Sequence, residues 1–160
     1  MLVELSGVWI VISNVVMIPV IHLSISWWFT RMPARRFDSD SFFSRERRWE
    51  RGGRIYRRFF QIHRWKNWLP DAAPWFAGLP KKQLASADPD YLSAFVIETR
   101  RGEAAHLAQI AALQITLIWN PWPAAAVAIF IYAVASNLPC ILLQRFNRIR
   151  MQRLLHKLEG

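Results

Sequence analysis

Two long runs without a charged residue govern what this chain can fold into. No Asp, Glu, Lys or Arg occurs from Leu5 to Thr30, 26 residues, or from Ala104 to Gln144, 41 residues, although 20% of the chain is charged. About 20 apolar residues in a helix cross a hydrocarbon core of about 30 Å, so the first run reads as one tilted span. The second is too long for one crossing. It is broken at Asn120-Pro121-Trp122-Pro123, a turn sequence with interfacial tryptophan, and reads as two spans. The expected fold is an all-α integral membrane protein with three transmembrane helices in a single domain, residues 1–160. The first span covers 5–30, a long helix at 89–119 includes the second, 120–123 is an external hairpin, and 124–144 is the third. Between the first two lie a basic interfacial segment and a Pro-rich loop, 31–88, and a basic tail, 145–160, ends the chain.

The chain has 160 residues, 53% of them hydrophobic, and a formal net charge of +10. An excess of that size suits nucleic acid, a membrane surface or an acidic substrate, and position decides among them. All 21 basic residues fall between Arg31 and Arg101 or between Arg145 and Lys157. Three crossings put both groups on one side. By the positive-inside rule that side is the cytoplasm, which makes this a multi-pass protein of the cell membrane with its N-terminus outside and its C-terminus cytoplasmic. Membrane lipids, and no nucleic acid, are then the expected anionic partners. The first run reads as a retained signal anchor, since no basic residue precedes it and no small-x-small cleavage site follows. The one cysteine, Cys140, excludes an intramolecular disulfide or a thiolate zinc cluster, and in an apolar helix it behaves as a small hydrophobe.

From Ser44 to Trp68 arginines alternate with aromatics. After Gly52-Gly53, the sets Ile55, Phe59, Ile62 and Tyr56, Phe60, His63 have helical spacing, with Arg51, Arg54, Arg57, Arg58 and Arg64 around them. That pattern predicts an amphipathic helix lying in the headgroup layer. The plainer alternative is a solvated basic face that only sets topology. Leu69 to Lys82 holds Pro70, Pro74 and Pro80 and reads as a loop skimming the interface with Trp75 and Phe76 inserted. Asp88-Pro89 is a helix start, with an N-cap before proline at the first helical position. A helix from there to Trp119 would be about 46 Å long, so its first half projects from the membrane, with Glu98, Arg100, Arg101 and Glu103 at the boundary. In the third span, Pro139 frees a carbonyl that Ser136, Asn137 or a water could satisfy, and a kink is expected. The chain then exits through Gln144 to Arg150, and Met151 to Gly160 is expected to continue as a short basic amphipathic helix. His22, near the inner end of the first span, is a functional candidate by location, but a neutral interfacial histidine accounts for it more simply.

Two polar constellations stand out. In Glu98-Thr99-Arg100-Arg101-Gly102-Glu103-Ala104-Ala105-His106, Glu103 and His106 share a helical face, and Glu98 can pair with Arg101. A carboxylate beside a histidine fixes its tautomer and raises its basicity, as a general base requires. The plain reading is a charged boundary to a membrane helix. The second constellation runs from Asn137 to Arg150. Antiparallel helices joined by a short hairpin bring it beside the first, so that Gln144, Asn147 and Arg148 face Glu98 to His106. A base opposite arginines at a lipid surface suits an amphiphilic substrate with an anionic group.

These stretches, Glu98-Thr99-x-Arg101-x-Glu103-x-x-His106 and Asn137-x-Pro139-x-Ile141-x-x-Gln144-Arg145-Phe146-Asn147-Arg148-x-Arg150, with Arg31-x-Pro33 and Trp65-Lys66, resemble the glycosyl-4,4'-diaponeurosporenoate acyltransferase family of staphyloxanthin-type carotenoid biosynthesis. The likeness runs through nearly the whole chain in order, with Gly102 and Phe146 as small departures. It implies a membrane-bound acyltransferase that moves a fatty acyl group to a sugar hydroxyl of a glycosylated isoprenoid acid or related glycolipid. His106 would then deprotonate the hydroxyl, Glu103 orient His106, and Glu98 with Arg101 organise the helix end. Arg145, Arg148 and Lys66 would meet the phosphates of the acyl carrier. Trp65, Arg101, Asn137, Gln144 and Asn147 complete the expected substrate-binding set. No cofactor is expected beyond an acyl thioester as co-substrate, because direct transfer needs no covalent intermediate. Pathway enzymes or a second copy of the chain are compatible partners. Two other readings stand beside this one. In one the chain is a membrane scaffold binding anionic lipids or partner enzymes. In the other Glu103-x-x-His106 is half of a carboxylate di-metal site, whose second half the sequence lacks.

Overall fold

The computed structural model describes residues 5–69, 85–120 and 122–159, and all regular structure among them is helical. The Pro-rich loop beyond Leu69, with Trp75 and Phe76, and Pro121 of the hairpin lie outside the described residues. Helix α1, Gly7–Arg31, runs unbroken through Pro19. It ends where Met32 turns extended before Pro33, since a residue preceding proline avoids the helical region. Arg31, in its last turn, places its guanidinium 4.6 Å from the ring centroid of Trp27. Two 3-10 turns follow, Ala34–Phe37 and Arg48–Gly53, and then the short helices α2, Arg54–Arg58, and α3, Ile62–Trp65. Helix α4, Pro89–Leu113, starts as its sequence predicts. Asp88 caps it by accepting from the Tyr91 N–H at 3.1 Å, and Pro89 takes the first position. It tightens to a 3-10 turn at Gln114–Ile118 instead of continuing as α-helix to Trp119. Helix α5, Pro123–Glu159, is one continuous element of 37 residues.

Three expectations change here. The tail is helical as expected, but its helix is not set apart from the third span, because nothing between Gln144 and Met151 breaks the ladder and α5 simply continues. The basic aromatic segment is not one amphipathic helix. Arg51, Gly52 and Gly53 turn left-handed, Gln61 does so again at φ 48°, and only two short helices fit between and beyond them. Part of its apolar stripe also faces protein: Tyr56 and Ile62 are wholly buried with Leu143 and Ile149 of α5, while Phe59 is exposed. Finally, Ser136 and Asn137 donate to carbonyls of the turn before the one Pro139 disrupts. Ser136 Oγ reaches Tyr132 O at 2.8 Å, and Asn137 Nδ2 reaches Ala133 O at 2.9 Å.

Side-chain contacts fix the helix directions. Leu92, Phe95 and Val96 of α4 pack on Met151, and Leu113 at the other end of α4 packs on Ala133, so α4 and α5 are antiparallel. Against α1, Arg101 bonds Met32 O at 3.1 Å, Gln109 bonds Ser26 Oγ at 3.0 Å, and Trp119 bonds Asn14 Oδ1 at 2.9 Å. Helices α1 and α4 are therefore antiparallel too. Helix α1 and the span within Pro123–Leu158 are long and apolar enough to cross a membrane. Their exposed residues include Val8, Val11, Val15, Leu23, Val127, Phe130 and Ile131, an apolar exterior of the kind lipid covers. Trp9 and Trp27, both exposed on α1, are about 27 Å apart along the axis, close to the hydrocarbon thickness. These are features of a membrane protein. Helix α4 is not among the candidate spans, as its apolar half is divided between α-helix and 3-10 turn and follows four charges.

At the hairpin end, Asn14 and Asn120 exchange two amide hydrogen bonds of 3.0 Å, and Trp119 Nε1 adds a third. Interhelical bonds of this kind contribute on average about 0.6 and at most about 1.7 kcal/mol each in a bilayer setting. Asn14→Leu is expected to lower stability by about 1–3 kcal/mol, read as the unfolding midpoint in mixed micelles. Because one network is removed either way, Asn14→Leu with Asn120→Leu should cost clearly less than the two single losses added.

Candidate functional site

The antiparallel register brings Glu103 of α4 against Arg145 and Arg148 of α5. Glu103 Oε1 accepts from Arg145 Nη1 at 2.6 Å, and Oε2 lies 2.6 Å from Arg148 Nη2. A second carboxylate arrives from the loop segment. Glu50 takes Arg145 in a two-pronged pair, Nε to Oε1 and Nη2 to Oε2, both 2.9 Å. Tyr56 donates its hydroxyl to Glu50, as does the backbone N–H of Arg47. The remaining Arg145 donors go to the carbonyls of Phe43 and Arg45, and Arg148 donates to Ser44 O at 2.6 Å. All four charged groups are nearly or wholly buried, Glu50 at 0% and Arg148 at 1% exposure, and their charges balance. Burial alone would raise the Glu50 carboxyl. The hydrogen bonds from Arg145, Tyr56 and Arg47, with the Arg145 charge, outweigh it and hold the group below its usual 4.5. Burial, reinforced by the Glu50 carboxylate, pushes the Tyr56 phenol up, so it remains a donor at any ordinary pH.

One turn further along α4 lies His106. Its Nδ1 is 2.9 Å from Asn137 Oδ1 and 3.1 Å from Gln109 Oε1. Both amides are oriented by their own N–H groups: Asn137 Nδ2 donates to Ala133 O, and Gln109 Nε2 to His22 O and Ser26 Oγ. Facing two acceptors, Nδ1 carries the proton in the neutral ring, and the basic lone pair is on Nε2. The group that orients Nδ1 is therefore a pair of amides rather than the expected Glu103 carboxylate, which the arginines have taken.

Glu98 and Arg101 pair at 2.5 Å, as their spacing allows, and Arg101 also bonds Met32 O at the end of α1. Arg145 and Arg148, expected at a carrier's phosphates, have their guanidinium groups engaged inside the protein. Among the described residues, Arg148 Nη1 and Gln144 Oε1 are buried with no hydrogen-bond partner. Gln144 and Arg148 follow Asn137 at seven and eleven residues, so all three lie on one face of α5. Asn147 is half-buried on the same helix. Trp65 donates Nε1–H to Phe60 O at 2.8 Å, and Lys66 lines a cavity beside the far end of α5, away from His106. Among the described residues no three of His, Cys, Asp and Glu gather as a metal site. Sequence reasoning missed Glu50, Tyr56 and Gln109. The available signal was a glutamate three residues after Arg47 in a strongly basic run, and a polar residue three after His106.

The model of the family described as glycosyl-4,4'-diaponeurosporenoate acyltransferase matches residues 33–157. A protein of that name from Staphylococcus haemolyticus strain JCSC1435 is 30% identical over 136 residues, 82% of this chain and 77% of the relative. One from Staphylococcus aureus strain bovine RF122 is 28% identical over 142 residues, 88% of this chain and 84% of the relative. No solved structure matches.

Since the Glu50 pKa is depressed in the folded state, its contribution to stability is complete above about pH 4.5 and is lost as pH falls through the lowered value. The unfolding midpoint of the wild type is expected to fall as pH drops below about 4.5, and Glu50→Gln to weaken that slope. Glu50→Gln leaves Arg145 buried with half its charge partners gone, and at neutral pH should cost about 3–5 kcal/mol. Thermal unfolding of both proteins across this range measures both effects.

Proposed function

The chain belongs to the glycosyl-4,4'-diaponeurosporenoate acyltransferase family and is an acyltransferase, and from that premise we propose that it acylates a sugar hydroxyl of a glycosylated carotenoid-type acid, with His106 as the general base. The observation that carries this reading is the pair of amide oxygens, of Asn137 and Gln109, within 3.1 Å of His106 Nδ1. With Nδ1–H held by Asn137 and Gln109, Nε2 takes the proton of the sugar hydroxyl as its oxygen attacks the carbonyl of an acyl thioester. The tetrahedral intermediate expels the thiolate, which recovers that proton from Nε2. Ester forms, thioester breaks, and the ring ends neutral. No covalent acyl-enzyme is required. Gln109 and Asn137 act as positioning residues. Glu98 and Arg101 organise the inner end of α4 by joining it to the end of α1.

Arg148 Nη1 and Gln144 Oε1 offer a buried donor and a buried acceptor on the face of α5 that carries Asn137. A sugar, whose hydroxyls both donate and accept, satisfies such a pair. Asn147 and Trp65 border this region in the reading. Glu103 serves by neutralising Arg145 and Arg148 and so by holding α5 in register, which leaves the phosphates of the donor to other cations, Lys66 among them.

Packing supports the proposed membrane placement. Helix α4 with the 3-10 turn after it runs beside α1 from Arg101 at Met32 to Trp119 at Asn14, about 27 Å along the α1 axis, so a bilayer crossed by α1 is crossed by this segment as well. Three spans of the cell membrane result, with the N-terminus outside and the arginine-rich ends of α4 and α5 at the cytoplasmic face. Membrane lipid surrounds α1 and the first half of α5.

Purified protein in lipid, given glycosylated acceptor and acyl thioester, is expected to transfer acyl groups without another protein. His106→Gln should lower the rate by about 10²-fold or more while leaving the unfolding midpoint unchanged. Gln109→Leu should lower kcat more than it raises KM, because it releases the ring without touching substrate. Glu103→Gln should lose activity and stability together. Undiminished transfer by His106→Gln would remove the assignment.

A further inference from the structure

Five cations, Arg57, Lys66, Arg150, Arg153 and Lys157, line one cavity of about 540 Å³ between the loop segment and the last turns of α5. Among the described residues no carboxylate lines it and none of the five makes an ion pair. Phe146, Ile149 and Leu154 supply an apolar wall. The site is shaped by a close approach at Gly52. A Cβ there would fall 1.4 Å from Arg153 Nη2, so the guanidinium lies directly on the glycine, which holds φ at +62°. Phe146 is nine residues beyond Asn137, half a turn around the helix, so the cavity is across α5 from His106. In depth it begins just past Arg145. That level is joined through Glu103 and Arg101 to the end of α1, where Trp27 and Trp28 are exposed.

We propose that this cavity is a binding site for a phosphate-bearing amphiphile. The phosphate is held by Arg57, Arg150 and Arg153 with the two lysines, and the adjoining apolar portion lies against Phe146, Ile149 and Leu154. Clustered cations repel one another until a multivalent anion enters, and guanidinium forks match phosphate oxygens. The depth fits a phosphate at the membrane surface. Two sources share this chemistry: an anionic phospholipid of the surrounding leaflet, or a phosphorylated thioester carrier. Only the second source rests on the acyl-transfer reading, and binding itself does not.

The test uses the full chain in nanodiscs. One arm titrates coenzyme A into zwitterionic phosphatidylcholine discs by calorimetry. The other raises the phosphatidylglycerol fraction and counts retained lipid by native mass spectrometry. Arg57→Gln with Arg153→Gln removes two exposed cavity cations. Arg35→Gln with Arg36→Gln removes two exposed cations of the Ala34–Phe37 turn and is the charge-matched control. Saturable binding of either probe, weakened at least tenfold by the cavity pair and under threefold by the control, is expected, and the arm that responds names the source. No saturable binding in either arm, or equal weakening by both pairs, overturns the proposal. Binding without acyl transfer would remove the proposed reaction and leave this site standing.

Discussion

Glu50, Glu103, Arg145 and Arg148 form a neutral set of four charges that the rest of the molecule is arranged around. Taking an ion out of water costs several kcal/mol, and the cost is recovered only when opposite charge and hydrogen bonds surround it. Here each condition recruits a different part of the chain. Glu103 comes from α4, the two arginines from α5, Glu50 from the 3-10 turn at Arg48–Gly53, and the carbonyls from Phe43 to Arg45. All five Arg145 donors are used. A helix register shifted by one residue would strand a buried charge, so the network specifies register more sharply than the surrounding aliphatic contacts do. That same register is what sets His106 opposite Asn137. It also draws Tyr56 and Ile62 onto α5, and for this reason that part of the basic segment folds against protein.

The net charge acquires a different meaning once the partners are known. Four arginines, Arg100, Arg101, Arg145 and Arg148, are matched by Asp40, Glu98, Glu50 and Glu103. They cancel, so the entire excess of +10 is carried by the other ionisable residues. The arginines nearest His106 are structural, whereas those lining the cavity beyond Phe146 have no carboxylate partner among the described residues. Charge density along the sequence does not separate the two kinds. Burial against a carboxylate does.

What was legible in the sequence followed from local rules. The apolar runs gave α1 and the first half of α5 their places, Asp88-Pro89 marked the start of α4, and the i,i+3 spacing anticipated the Glu98–Arg101 pair. The remainder depended on contacts distant in sequence. Glu50 stands in a run of arginines, where a carboxylate reads as a solvated surface partner, and only Arg145, 95 residues away, makes it a buried one. Spacing along α4 suggested Glu103 as the group that orients His106. Helix pairing gave Glu103 to α5 and supplied amides from Gln109 and Asn137 in its place. The continuity of α5 past Gln144 was hidden because its composition changes abruptly from apolar to basic, although backbone geometry has no reason to stop there.

The exchange of a carboxylate for two amides at His106 bears on the chemistry. A carboxylate on Nδ1 would stabilise the imidazolium as well as orient the ring. Amide oxygens fix ring and tautomer without placing a negative charge against the ring. Glu103, on the same face about 5–6 Å away between Cβ atoms, already has its charge matched by two guanidinium groups. The histidine is thus held by neutral groups at the edge of a balanced charge network, and its part in the proposed reaction depends on those amides and not on Glu103.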